Sequence, residues 1–371
     1  MFSEHISAEV ILFFILYGVT GAVALLAAIY LLLRRGNAFA RDVTPPARLR
    51  RWAASFFVVA ALGHVWWLLF FIFSDGIHSV DAMLHSASYV AVAFLDGVTL
   101  LATIAGTLLA MLQDRKRPVW PVFVAMLPFV ALGGVLMVSP SEWLMQVAFV
   151  YLLLLYVLFS VYMAFAVRQY GRWLRDNYAD LERKEVWLTH VLSLVFMLLF
   201  IFYALVDAST ILVYYLLHIV ELALFGLLLW RVETLPQLDV VLSPEPSLKE
   251  KNVSTVDLAQ IEQLLKEHCV DRQLYLQHEL SLLQLAQIIG TNRSYLSHYF
   301  SRQGITYNIY INNLRVNHFI SRYQELAATG QPIVAQDLAQ ESGFRSYSTF
   351  GRAFMQRTGQ SVTAWMHDTS E

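Results

Sequence analysis

Apolar residues fill the first 230 positions in seven long stretches, roughly 8–33, 52–73, 87–112, 118–138, 143–167, 186–206 and 210–230, separated by short polar segments. At ~1.5 Å of rise per helical residue, about 20 residues cross the hydrocarbon of a bilayer, so each stretch is long enough to span it. Beyond Arg231 the pattern breaks. Pro236, Pro244 and Pro246, with Ser243, Glu245 and Ser247 among them, interrupt any continuing helix, and 232–253 reads as an extended, mobile linker. Helical spacing resumes at Ser254, with Asp257 three positions on as in a capping box. Leu258, Ile261, Leu264 and Leu265 then make one apolar face. The pattern predicts an all-α chain: a seven-helix transmembrane bundle over 1–231, the linker, and a helical domain over 254–371.

Composition and charge fix the orientation expected of that bundle. Hydrophobic residues make up 57% and charged residues 15%, too apolar for one water-soluble globule. Arg34, Arg35, Arg41, Arg48, Arg50 and Arg51 lie between stretches one and two, and Arg115, Lys116 and Arg117 between three and four. Arg168, Arg172, Arg175, Arg183 and Lys184 lie between five and six, and Arg231 follows seven, whereas the other loops and the N-terminus have no Lys or Arg. Basic residues mark the cytoplasmic side. The expectation is a multi-pass membrane protein, N-terminus outside and C-terminal domain in the cytoplasm. The first stretch is too long for a cleaved leader and has no basic segment before it, so it should remain as a span. Cys269 is the only cysteine, which excludes an intrachain disulfide or a cysteine metal cluster. From residue 245 on there are 11 Lys and Arg against 12 Asp and Glu, so nucleic-acid binding must come from local placement of charge.

The C-terminal domain repeats itself at an offset of about 53 residues. Leu285-Ala286 precedes Gly290, and Asn292 then caps a helix carrying Leu296 and Phe300. In the second copy Leu338-Ala339 precedes Gly343, and Ser346 caps a helix carrying Phe350 and Phe354. A small Ala lets two helices cross closely and Gly supplies the tight turn between them, which is the grammar of a helix-turn-helix.

These stretches, SLLQLAQIIGTNRSYLSHYFSRQGITYNIYINNLRVNHFI and IVAQDLAQESGFRSYSTFGRAFMQRTGQSVTAW, resemble the DNA-binding domain of the AraC/XylS family of bacterial regulators. The Gly-Phe-x-Ser-x-Ser-x-Phe-x-Arg-x-Phe run over 343–354 is the most specific element of the likeness, which covers about 110 residues and leaves out the apolar part. Val362 stands where the family usually has Pro, and Phe319 where a small Ala is usual; both alter packing more than readout. The resemblance implies recognition helices at 293–301 and 347–355, joined by a helix at about 306–326 and entering successive major grooves of promoter DNA. It places Arg293, Ser294, Ser297 and His298 on the exposed face of the first, and Tyr347, Ser348 and Arg352 on that of the second, with Arg345 at its approach. Arg pairs with guanine and Ser with either partner, whereas Arg302 and Arg357, past the helix ends, suit phosphates.

Ionisable groups inside a span are costly, so His64, Asp96, His218 and Glu221 are candidate sensor residues, with interhelical hydrogen bonding as the plainer role. His218 and Glu221 share a face with Tyr214 and Phe225, and Asp96 continues as Thr99, Thr103 and Thr107 down one stripe. Asp75, His78, Asp81 and His85 have metal-compatible side chains in an outer loop, where such spacing is common by chance. Arg168–Lys184, with Trp173, Leu174, Tyr178 and Leu181, reads as an amphipathic extension of span five along the inner leaflet. No phosphate loop, nucleophile elbow or kinase signature occurs, so the reading is a non-enzymatic, membrane-anchored transcription regulator without cofactor or metal. Its partners would be double-stranded DNA, the bilayer, an unidentified signal ligand or membrane protein, and a second copy as one candidate assembly. The rival is a transporter, or a receptor or scaffold, with a fused helix-turn-helix domain.

Overall fold

The computed structural model describes residues 8–34, 36–73, 86–205, 211–238 and 258–370, and every regular element among them is helical. Two compact units form: residues 1–168 with 186–241, and residues 169–185 with 242–371.

The first unit contains α1 (Ala8–Leu33), α2 (Ala47–Phe73), α3 (Ala87–Met111), α4 (Trp120–Val138), the first part of α5 (Glu142–Asn177), α6 (Trp187–Leu205) and α7 (Ile211–Thr234). Each of the seven apolar stretches is helical over nearly all of its described residues. Six of them are long and apolar enough to cross a membrane, and α6 has 19 residues of the same apolar character. Small residues lie inside, as with Ala24, Ala27 and Ala28 of α1 and Ala53 and Ala60 of α2. Bulky ones such as Leu33, Phe73, Leu127 and Phe165 lie outside. The threonine stripe of α3 turns inward at Thr103 and Thr107, and each hydroxyl donates to the carbonyl four residues back.

One end of this unit is tied together by hydrogen bonds. Tyr30 Oη donates to Glu233 Oε2 at 2.8 Å, and Asn37 Nδ2 to the Glu233 carbonyl at 2.5 Å. Gln113 Nε2 donates to the Pro236 carbonyl while its Oε1 accepts from Leu238 N, each at 2.9 Å. The Gln237 N–H reaches the Thr44 carbonyl at 2.9 Å. The chain after α7 is therefore pinned as far as Leu238, and the expected mobile linker does not begin at 232: those backbone groups have partners on the loops before α2 and after α3. The rest of the linker, the Ser254 start and the Asp75–His85 cluster lie outside the described residues.

The second unit holds α8 (Leu258–Leu265), a π turn (Lys266–Val270), a 3-10 turn (Leu274–Leu276), α9 (Leu282–Ile288), α10 (Arg293–Arg302), α11 (Tyr307–Ala328), α12 (Ala335–Glu341), α13 (Tyr347–Thr358) and α14 (Val362–Ser370). Two cores form. Ile261, Leu265, Leu285, Ala286, Leu296, Phe300 and Ile311 fill the first, and Val316, Phe319, Leu338, Ala339, Phe350 and Phe354 the second. The halves of α11 belong one to each core, so this helix is a rod shared by both. Phe319, unusual for the family, fills the second core against Phe350, with ring centroids 4.5 Å apart. Val362 opens α14, where Ser361 Oγ accepts from Ala364 N at 3.2 Å, so a side-chain cap starts that helix without the usual proline.

The expectation of a helix running through Arg168–Lys184 is corrected here. Helix α5 does continue span five, but it stops at Asn177, and Tyr178–Lys184 turns back onto the second unit. Ala179 is buried in the first core, and Tyr178 forms an antiparallel bridge with Ser281.

Candidate functional site

Each helix-turn-helix is built by local chemistry. Ser281 begins α9 with a full capping box, its hydroxyl accepting from Gln284 N while Gln284 Oε1 accepts from Ser281 N. Asn292 Oδ1 accepts from Tyr295 N at 2.9 Å and Ser346 Oγ from Thr349 N at 3.3 Å, so both second helices start where side-chain caps satisfy their first N–H groups. The turns pass through Gly290 at φ +73° and Gly343 at φ +89°, a region that side chains with a Cβ rarely enter. Buried Leu296 and Phe300 hold α10 down, and Phe350 and Phe354 hold α13, leaving the opposite faces to the outside.

Those outer faces carry most of the expected readout residues. Ser294, His298, Arg302, Arg345, Tyr347, Ser348, Arg352 and Arg357 are exposed, and Ser297 is half-buried. Among the described residues, Arg302, Arg352 and Arg357 carry no ion pair, whereas Arg345 Nη1 lies 2.6 Å from Glu279 Oε1. Arg293 departs from expectation. It is half-buried, and its Nε donates to Asn177 Oδ1 at 2.6 Å, because the end of α5 sits over the start of α10. Burial lowers its pKa from the usual arginine value. The connecting helix α11 has 22 residues, about 33 Å of rise, close to the ~34 Å of one DNA turn that separates successive major-groove contacts.

A set of residues beneath these faces went unnoticed in the sequence. Asn308 Nδ2 donates to the Tyr178 and Ala179 carbonyls at 3.2 and 2.5 Å, and Asn312 Nδ2 to the Ala179 carbonyl at 3.2 Å. Arg315, buried, donates through Nε to the Tyr275 carbonyl and through Nη2 to the Gln277 carbonyl, both at 2.7 Å. Its guanidinium lies 5.7 Å from the centre of the Phe344 ring, so it joins the two helix-turn-helix units. Burial pushes its pKa down to about 10, with Tyr307 and Asp180 acting against that shift. The available signal was a polar set, 308, 312 and 315, at helical spacing beside the apolar Ile311 and Val316.

Two capped recognition helices on a shared rod define a double helix-turn-helix DNA-binding module. A family model described as a helix-turn-helix domain matches residues 285–368. No curated protein and no solved structure matches the chain. The C-terminal domain is a DNA-binding domain of the AraC/XylS type, and its function is DNA-binding transcription regulation.

Arg302 and Arg357 lie in the last turns of α10 and α13, not past the helix ends as expected, and that position still favours phosphate over base contact. Arg352→Ala is expected to weaken binding to the preferred DNA by about 1–3 kcal/mol and to relax selection at one base pair. Arg302→Ala should weaken binding to all sequences alike and reduce the salt slope by about one. Titration of the purified chain against specific and scrambled duplexes at several salt concentrations checks both, and identical behaviour of the two variants would contradict the division.

The four candidate sensor residues also come together. His64 of α2 and His218 of α7 both face Glu221: His218 Nδ1 lies 3.3 Å and His64 Nε2 3.8 Å from Glu221 Oε2. Trp67 Nε1 donates to Asp96 Oδ2 at 3.3 Å. Tyr17 of α1, absent from the sequence reading, lies over both histidines, with ring centroids 4.7 and 5.5 Å away. His190 was missed too: buried in α6, it places its ring nitrogens 2.8 and 3.0 Å from the Val186 and Leu108 carbonyls.

Proposed function

We propose that this chain is a transcription regulator embedded in a bacterial inner membrane, sensing through its apolar unit and reading promoter DNA with its cytoplasmic domain. The observation that carries this reading is the course of α5: from Gln169 on, the helix and the turn after it belong to the DNA-binding unit. A span that moves thus has a direct path to Arg293 and to the first core, which the proline-containing linker alone would not provide. Outward-facing Leu33, Phe73, Leu127 and Phe165 favour hydrocarbon as the surroundings of the helices, since a soluble unit would bury them. The hydrogen-bonded end of the first unit joins the arginine-bearing segments after α1 and after α3 to the end of α7, which favours one cytoplasmic side for these three. With no catalytic motif in the sequence, the chain acts by binding rather than by turnover.

Reporter fusions test the placement. A reporter active only in the cytoplasm should work after Arg117 and after Glu371 and fail after Ser79. Activity at all three positions would overturn the seven-span arrangement.

A further inference from the structure

We propose that His64, His218 and Glu221 bind a divalent transition-metal ion of the zinc class between the second and seventh helices. The inference rests on the sensing role proposed for this unit and names the class of ligand sensed.

One nitrogen from each histidine and one oxygen from Glu221 all lie within 4.8 Å of one another. Metal–ligand bonds of about 2.0–2.2 Å in a tetrahedral site put neighbouring ligand atoms roughly 3.3–3.5 Å apart. The edge from Glu221 to His218 is already 3.3 Å and that from Glu221 to His64 is 3.8 Å, so small side-chain adjustments close the site.

The orientation of His64 supports a ligand role. Its Nδ1 lies 2.8 Å from the Ala60 carbonyl, an acceptor that takes an N–H from this nitrogen. Nε2 is buried with no hydrogen-bond partner among the described residues and lies 3.8 Å from Glu221 Oε2. A histidine that donates one N–H to a carbonyl and turns its other nitrogen inward has the orientation found in metal ligation. A divalent cation between Nε2 and the carboxylate oxygen gives both of these atoms a partner.

Aromatic rings wall the site: the Tyr17 ring lies 4.7 Å from the His64 ring and the Phe13 ring 5.8 Å from the His218 ring, centroid to centroid. Three protein ligands leave a fourth position open, as in zinc sites that exchange a ligand.

The test uses the full chain in detergent, stripped with a chelator and titrated with Co²⁺ and then Zn²⁺. One Co²⁺ per chain should give the visible absorption of a tetrahedral site, and Zn²⁺ should bleach it. Glu221→Gln and His64→Ala should each lower Co²⁺ affinity by more than about 100-fold, beyond the 10–100-fold typical of losing an outer-shell partner. His64→Cys, which keeps a ligand, should retain binding, and His78→Ala with His85→Ala should leave it intact. Zn²⁺ should also raise the melting temperature of the unsubstituted protein, a readout that needs no variant to fold. The proposal is overturned if chain that still binds DNA shows no saturable Co²⁺ spectrum, or if Glu221→Gln and His64→Ala leave that spectrum unchanged. Reporter transcription separates the two levels. Altered transcription in Glu221→Gln without any Co²⁺ spectrum sinks the metal and keeps the sensing role. A Co²⁺ site whose loss leaves transcription unmoved keeps the metal and sinks the sensing role.

Discussion

Gly343→Ala is expected to abolish promoter binding by unfolding the second helix-turn-helix. A Cβ at this position would lie 2.9 Å from Leu276 Cα and from the Leu276 carbonyl oxygen, and 3.0 Å from Arg315 Nε. Two of those atoms are backbone, and the third belongs to a buried arginine held by two carbonyls, so none yields cheaply. The φ of +89° adds strain of about 1–3 kcal/mol, and forced overpacking adds roughly 1–3 kcal/mol more. Their sum is a large part of the 5–15 kcal/mol that holds a typical domain together. Gly290→Ala is the matched control: its φ is +73° but nothing lies within 4 Å of the added atom, so only the strain applies. Thermal melts and DNA titrations of the two variants should differ sharply. Equal behaviour would show that the junction of Leu276, Arg315 and Gly343 does not fix the module.

Ala179→Asp should sever the DNA-binding unit from span five. Ala179 is buried beside Ile261, Leu265 and Leu285, and an ionised carboxylate there costs several kcal/mol without a partner. Undocking the segment relieves that cost and gives up the bonds from Asn308 and Asn312. It also frees Arg293 from Asn177, so DNA affinity of the full chain should rise by about tenfold, ~1.4 kcal/mol. Transcription should then lose its response to the apolar unit: Glu221→Gln should change reporter output in the natural background and change nothing further when combined with Ala179→Asp. That non-additivity is the signature of two positions acting on one path. Additive effects would mean that the signal, if there is one, travels elsewhere.

How much the sequence discloses depends on the range of the interaction. Asn292, Ser346, Gly290 and Gly343 were legible because capping and positive-φ turns are settled within a few residues. Leu296, Phe300, Phe350 and Phe354 were legible because helical spacing puts them on one face. The seven long apolar helices were legible from length and hydropathy, although α2 begins earlier and α5 ends later than the apolar runs, since both helices continue through arginine-bearing turns. The docking of Asn177–Ala179 could not be read, because its partners Arg293, Asn308 and Asn312 lie more than 100 residues away and the segment's aromatic character fitted a membrane surface equally well. The same limit hid the juxtaposition of His64 with Glu221: the sequence puts both inside apolar runs, but only the pairing of α2 with α7 puts them 3.8 Å apart.

The central claim, a DNA-reading domain that works while held in the membrane, is tested most directly by mapping crosslinked DNA recovered with the membrane fraction of intact cells. Discrete promoter sites should be recovered with the full-length chain and lost in Gly343→Ala. Uniform recovery of DNA, or discrete sites found only on a soluble fragment released from the apolar unit, would contradict it.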